Sequence, residues 1–137
     1  MSAAIEDASR GGVLSYRITG AASTANAGLG SIANPEGVAL LILRATFWFV
    51  TAAAATATLS VGVTTAAAAA TDILNALDVN AVGDDCYYNG FAMQNTAKTA
   101  ITAPAVWDPD TYITLTGSAT TAGLDAVMML EYVRVAD

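Results

Sequence analysis

The 137-residue sequence predicts an all-β chain, an antiparallel β-sandwich of jelly-roll type with one short helix. Apolar residues recur at a spacing of two in about seven or eight short runs, which is the period of strands. Clusters of Gly, Asn, Pro and Ser separate the runs. The helices of about a dozen residues that a parallel α/β fold would need between its strands are missing, and a sandwich or roll copes with sheet edges better than an open sheet.

Residues 1–12, ending at Gly11 and Gly12, read as a polar N-terminal arm, and 13–137 as one sandwich domain. In 13–19, Leu14, Tyr16 and Ile18 alternate with Ser15, Arg17 and Thr19, a strand with one apolar face. Residues 20–35 are mostly Ala, Ser, Asn and Gly around a lone Leu29 and Ile32, and read as a long loop closing on a turn at Asn34, Pro35, Glu36 and Gly37.

The stretch 37–65 organises the chain. In extended form its first half puts Val38, Leu40, Ile42, Thr46, Trp48 and Val50 on one face and Leu41, Leu43, Phe47 and Phe49 on the other, so it reads as a central strand apolar on both sides. In the second half Leu59, Val61 and Val63 alternate with Thr58, Ser60, Gly62 and Thr64, and the short Ala-rich link between the halves predicts a hairpin. Arg44 falls on the face of Ile42 and Thr46, where an unpaired charge would cost several kcal/mol. Arg44 is therefore expected either to pair with a carboxylate, from a neighbouring strand (Glu131 or Glu36 within this chain) or another subunit, or to sit where the strand leaves the core; for a buried pair, Arg44→Met would cost about 3 to 5 kcal/mol.

Farther on, Thr71 or Asp72 is placed to cap a short helix whose Ile73, Leu74 and Leu77 share a face and plug one end of the sandwich. Asp78, Asp84 and Asp85, with Asn80 and Gly83, lack the spacing of an EF-hand and read as solvated loop carboxylates. Tyr87, Tyr88 and Phe91 surround the turn dipeptide Asn89 and Gly90, either packed under it or standing at an interface, and 96–102 is a second weak strand. Pro104 and the run Trp107, Asp108, Pro109 and Asp110 make a rigid corner before a strand at 111–116 with Ile113 and Leu115 inward. Asp108 and Asp110, two apart on one turn, cannot flank a glycosidic bond from opposite sides, so they read as turn formers. The last segment reads as a long strand with Leu124, Ala126, Met128, Leu130 and Tyr132 on one face and Asp125, Val127, Met129, Glu131, Val133 and Val135 on the other, although period alone also allows a helix over 124–133.

Charge excludes several function classes. The net charge is -7, and the five cations, Arg10, Arg17, Arg44, Lys98 and Arg134, are scattered, which argues against nucleic-acid binding. With no His there is no Ser-His-Asp relay and no histidine-bound zinc. No glycine motif leads into a helix, so neither an enzyme, a cofactor nor a metal is expected. Cys86 is the lone cysteine and reads as a buried, inert thiol. The N-terminus has early acidic residues and no apolar core, which argues for synthesis in the cytoplasm without a secretory signal. The apolar run 38–50 is too short to span a membrane and carries Arg44. Only 12% of residues are charged, against roughly 25% in an average domain, a composition suited to burying surface against other subunits.

Residues 58–63 and 72–78, together with Trp107, 112–119 and 122–126, resemble the capsid decoration (cement) proteins of tailed bacteriophages and related small jelly-roll virion surface proteins. The resemblance implies a structural virion protein, made in the host cytoplasm, that sits on the outer capsid surface, often as a homotrimer. There it would bind the major capsid protein and clamp the shell against internal pressure. No functional residue of the family transfers. The residues marked as interface or ligand-facing candidates are Arg44, Tyr87, Tyr88 and Trp107. A carbohydrate or receptor-binding module of a phage particle, stacking Trp107, Tyr87 and Tyr88 on sugar rings, is the alternative, and a self-assembling fibre or tube subunit a third.

Overall fold

The computed structural model describes residues 11–65, 67–80 and 105–135, and the backbone of 86–88. Nine strands occur among them: β1 (Gly11–Thr19), β2 (Gly30–Ala33), β3 (Leu40–Thr51), β4 (Thr58–Thr64), β5 (Leu74–Asp78), β6 (Cys86–Tyr88), β7 (Ala105–Trp107), β8 (Tyr112–Gly117) and β9 (Asp125–Arg134). They form two antiparallel sheets. The first has the order β1-β9-β3-β6, with β7 also on β3, and the second the order β2-β8-β4-β5. The fold is a β-sandwich, as the alternation predicts.

Alternation places the core where it is unbroken. Leu124, Ala126, Met128, Leu130 and Tyr132 are all buried, and so are Ile18, Leu59, Val61, Ile113 and Leu115 from the other alternating runs. Phe47 and Phe49, two apart on β3, stack between the sheets with ring centroids 6.4 Å apart. Such interdigitated inner faces are what a sandwich buries.

Four expectations are corrected. The stretch 37–65 is no hairpin. β3 and β4 belong to different sheets, and 52–57 carries the chain across the sandwich. Ala53 and Ala57 are buried there, and the crossing is tied by Ala53 N to Val79 O at 2.8 Å and Val79 N to Ala57 O at 3.0 Å. The small side chains let the crossing backbone lie close to its neighbours.

The expected helix at 71–78 is instead β5, and no helix occurs among the described residues. Leu74 pairs with Val61 and Leu77 with Leu59, with a register shift between them. Ala76 takes a left-handed φ of 52°, and its N–H donates to Ser60 Oγ at 3.1 Å. The bulge brings two residues three apart onto one face, which in the sequence imitates helical spacing.

β2 lies inside what reads as a loop. It is four residues long and carries a single large apolar side chain, Ile32, so its pattern is too short to register. β1 begins at Gly11 rather than after Gly12, because both glycines pair with β9. A Cβ on Gly12 would lie 2.6 Å from the hydroxyl of Tyr132, whose ring covers that position.

The turn at Asn34 forms as expected. Its Oδ1 accepts from Glu36 N at 2.9 Å and Gly37 N at 3.1 Å, and its Nδ2 donates to the carbonyls of Val38 and Trp107, both at 2.9 Å. The polar arm up to residue 10, the 96–102 strand, the turn at Asn89 and Gly90, Pro104, the side chain of Cys86, and Asp84 and Asp85 lie outside the described residues.

Candidate functional site

The two sheets differ in what covers their outer faces. Over the second sheet run the loops 67–72 and 21–28. Thr114 Oγ1 donates to Ala68 O at 2.8 Å, Val63 N to Asp72 Oδ1 at 3.1 Å, and Ala27 N to Thr116 Oγ1 at 2.9 Å. Thr114 and Thr116 are consequently buried although they alternate with core residues. Among the described residues nothing comparable covers the first sheet.

Its outer face is apolar. Of the six large apolar side chains exposed among the described residues, Val13, Leu43, Trp48 and Val106 stand on this sheet's outer side. Ladder register joins them into one surface. Val13 pairs with Glu131 and Glu131 with Arg44; Arg17 pairs with Val127 and Val127 with Trp48; Val133 pairs with Leu41 and Leu41 with Val106.

A bulge in β3 sets this face. Between Ile42 and Arg44 the register against β9 shifts by one residue, so Leu40 and Ile42 are buried before it and Ala45, Phe47 and Phe49 after it. Leu43 and Arg44 both turn outward, and Trp48 moves to the outer side, 48% exposed. The prediction of a strand buried on both faces is therefore corrected. β3 is central in its sheet, but one side faces the core and the other faces out.

Three ion pairs neutralise every described cation. Arg17 grips Asp125 with two bonds, Nε to Oδ1 and NH2 to Oδ2, each 2.5 Å. That hydrogen bonding and the nearby negative charge push the Arg17 pKa further above its ordinary value. Arg44 Nε donates to Glu131 Oε2 at 2.6 Å. Arg134 lies 3.4 Å from Glu36, which also accepts from the Tyr132 hydroxyl at 3.0 Å. Burial first, then the Glu36 bond and charge, raise the Tyr132 pKa above its usual value near 10. Asp72, Asp78, Asp108 and Asp110 belong to none of these pairs and lie away from the outer face, on or beside the second sheet and in the β7–β8 turn.

Of the candidate residues, Arg44 is on this face, paired with Glu131 as one of the two expected carboxylates, but exposed rather than buried. The backbones of Tyr87 and Tyr88 pair with Phe47 and Thr46; their side chains lie outside the described residues. Trp107 is fully buried, its Nε1 donating to Thr111 O at 3.2 Å under the turn that Asp108 begins, so its ring offers no surface to a sugar. Val13, Leu43, Trp48 and Val106 were not marked by the sequence.

Among the described residues no three Cys, Asp or Glu side chains gather as a metal site, and no buried side-chain nitrogen or oxygen lacks a partner. No family model and no curated protein matches the chain. Its fold is similar to that of a chain in the solved capsid of Ralstonia phage GP4, with a TM-score of 0.53 and 15% identity over 100% of this chain and 92% of that one.

Proposed function

We propose that the protein is a structural component of a tailed-phage virion: a decoration (cement) protein that binds the outer capsid surface and stabilises the shell. The observation that carries this reading is the outer face of the β1-β9-β3 sheet, uncovered among the described residues, apolar and locally neutral on a chain of net charge -7. Exposed apolar surface bounded by charged groups is characteristic of protein contact sites. The likeness of the fold to a phage capsid chain supports the virion setting.

The strand order supports the jelly-roll reading of the sandwich. With β6 and β7 taken as one interrupted edge strand, the chain changes sheet at every connection except β4 to β5. Such wrapping produces two four-strand sheets from eight strand positions. The partner is the major capsid protein, and the role needs no cofactor and no catalysis. Trp48, Leu43 and Val106 are the anchors that the shell surface would cover, and Arg17 and Arg44 the polar groups among them.

Mixing the purified protein with undecorated heads tests this reading. The expected result is saturable binding and a raised melting temperature of the shell. Shells whose melting is unchanged at saturating protein would contradict it.

A further inference from the structure

The open edges of the two sheets are not alike. β2 has only four residues, β5 is broken by its bulge and the left-handed Ala76, and the β6/β7 edge is two three-residue pieces separated by residues 89–104. β1 is different. It runs nine residues in unbroken register from Gly11 opposite Val133 to Thr19 opposite Asp125, and among the described residues nothing pairs along its other side.

Natural sheets blunt such edges with bulges, prolines or lysines. β1 has none of these. Its one charge, Arg17, is drawn inward to Asp125 on β9, which neutralises it and keeps it from standing across the edge. On the inner side Leu14 and Tyr16 are only half-buried, and Ile32 on β2 is too, with the Tyr16 hydroxyl donating to Leu29 O at 3.0 Å across this flank. On the outer side Val13 is 69% exposed, the highest value among the described large apolar residues.

We propose that the β1 edge pairs antiparallel with the β1 edge of a second copy of this chain, across a two-fold axis at Ser15, so that the β1-β9-β3 sheet continues through two molecules. Charge favours a second copy at this flank. Two chains of net charge -7 repel, yet β1 and β2 contain no carboxylate, whereas β5 ends in Asp78 and the loop before it holds Asp72.

The register also fits. Centred on Ser15, Leu14 lies opposite Tyr16 on the inner side, and Val13 lies opposite Arg17 on the outer side. The aliphatic stem of each Arg17 then covers the exposed Val13 of the other copy, and no like charges oppose each other. This pairing does not depend on shell binding, which uses the sheet face rather than its edge.

The test is the mass of the full chain in solution without shells, read by light scattering. Wild type is expected at twice 13.8 kDa. Ser15→Lys and Ser15→Glu, each placing like charges opposite one another, are each expected at the monomer mass with an unchanged far-ultraviolet spectrum. Mixing these two variants is expected to restore the dimer mass, because Lys then meets Glu across the axis. A wild-type monomer or trimer, a dimer indifferent to both substitutions, or variants that stay apart on mixing would overturn the proposal. A Trp48→Asp protein that remains dimeric but loses shell binding separates this edge from the capsid-binding face.

Discussion

Arg44 and Glu131 face each other across the β3–β9 ladder, Nε to Oε2 at 2.6 Å, with 55% and 41% of their side chains exposed. An apolar run with one arginine in it invites the expectation of a buried pair. The bulge at Leu43 and Arg44 changes that by turning both residues outward. Exposed ion pairs contribute about 0 to 1 kcal/mol, far below the cost of leaving a buried carboxylate without its partner. Arg44→Met is therefore expected to lower stability by less than about 1 kcal/mol in urea denaturation. A loss of several kcal/mol would mean that the pair is desolvated.

Tyr132 links pH to stability through its burial and then its bond to Glu36. Its pKa is raised in the folded chain, so above about pH 10 the unfolded chain gives up this proton while the folded one keeps it. The stabilisation is complete below the unfolded pKa and is lost as pH rises from there through the higher folded value. Denaturation midpoints measured from pH 8 to 11 should fall more steeply for wild type than for Tyr132→Phe. At neutral pH the variant should lose about 1 kcal/mol with the Glu36 hydrogen bond.

Two glycines separate steric need from backbone need. A Cβ on Gly20 would lie 1.9 Å from the carbonyl oxygen of Thr121, while one on Gly37 would meet nothing within 4 Å but sits at a φ of +73°. Gly20→Ala forces backbone apart and should cost about 3 kcal/mol. Gly37→Ala carries only the left-handed penalty, about 1 kcal/mol. Thermal unfolding of the two variants should rank them in that order.

The two tryptophans should report separately. Trp107 is fully buried and Trp48 half exposed. Trp48→Phe is expected to leave a blue-shifted emission that acrylamide barely quenches, and the wild-type spectrum should contain an additional quenchable component. Equal quenching of wild type and variant would place Trp48 under cover.

Much of the sandwich was legible in the sequence where a strand keeps strict alternation. β9 shows this best, with every second residue from Leu124 to Tyr132 in the core. Two of the misread parts share one cause, since a bulge changes the phase of the pattern without leaving a residue type that marks it. Leu74 and Leu77 looked helical because Ala76 takes a left-handed turn between them. Ile42 and Ala45 are likewise three apart and both buried, so the side of β3 assigned to Trp48 was wrong. The Ala-rich link suggested a hairpin because its length suits one; that it crosses between sheets depends on Val79 and Ala122 elsewhere in the chain. That Arg44 takes a carboxylate was legible because a charge in an apolar run needs a partner, but the choice of Glu131 over Glu36 was not. Nor was the bare face, since what covers a sheet is decided by distant loops.

Co-sedimentation of the protein with undecorated capsid shells, wild type beside Trp48→Asp, is the most direct test of the role assigned to the outer face of the β1-β9-β3 sheet. Wild type should saturate at a fixed number of copies per shell, and Trp48→Asp, folded and of unchanged oligomeric mass, should stay in the supernatant. Wild type left in the supernatant, or a Trp48→Asp protein that binds as well as wild type, would contradict that role.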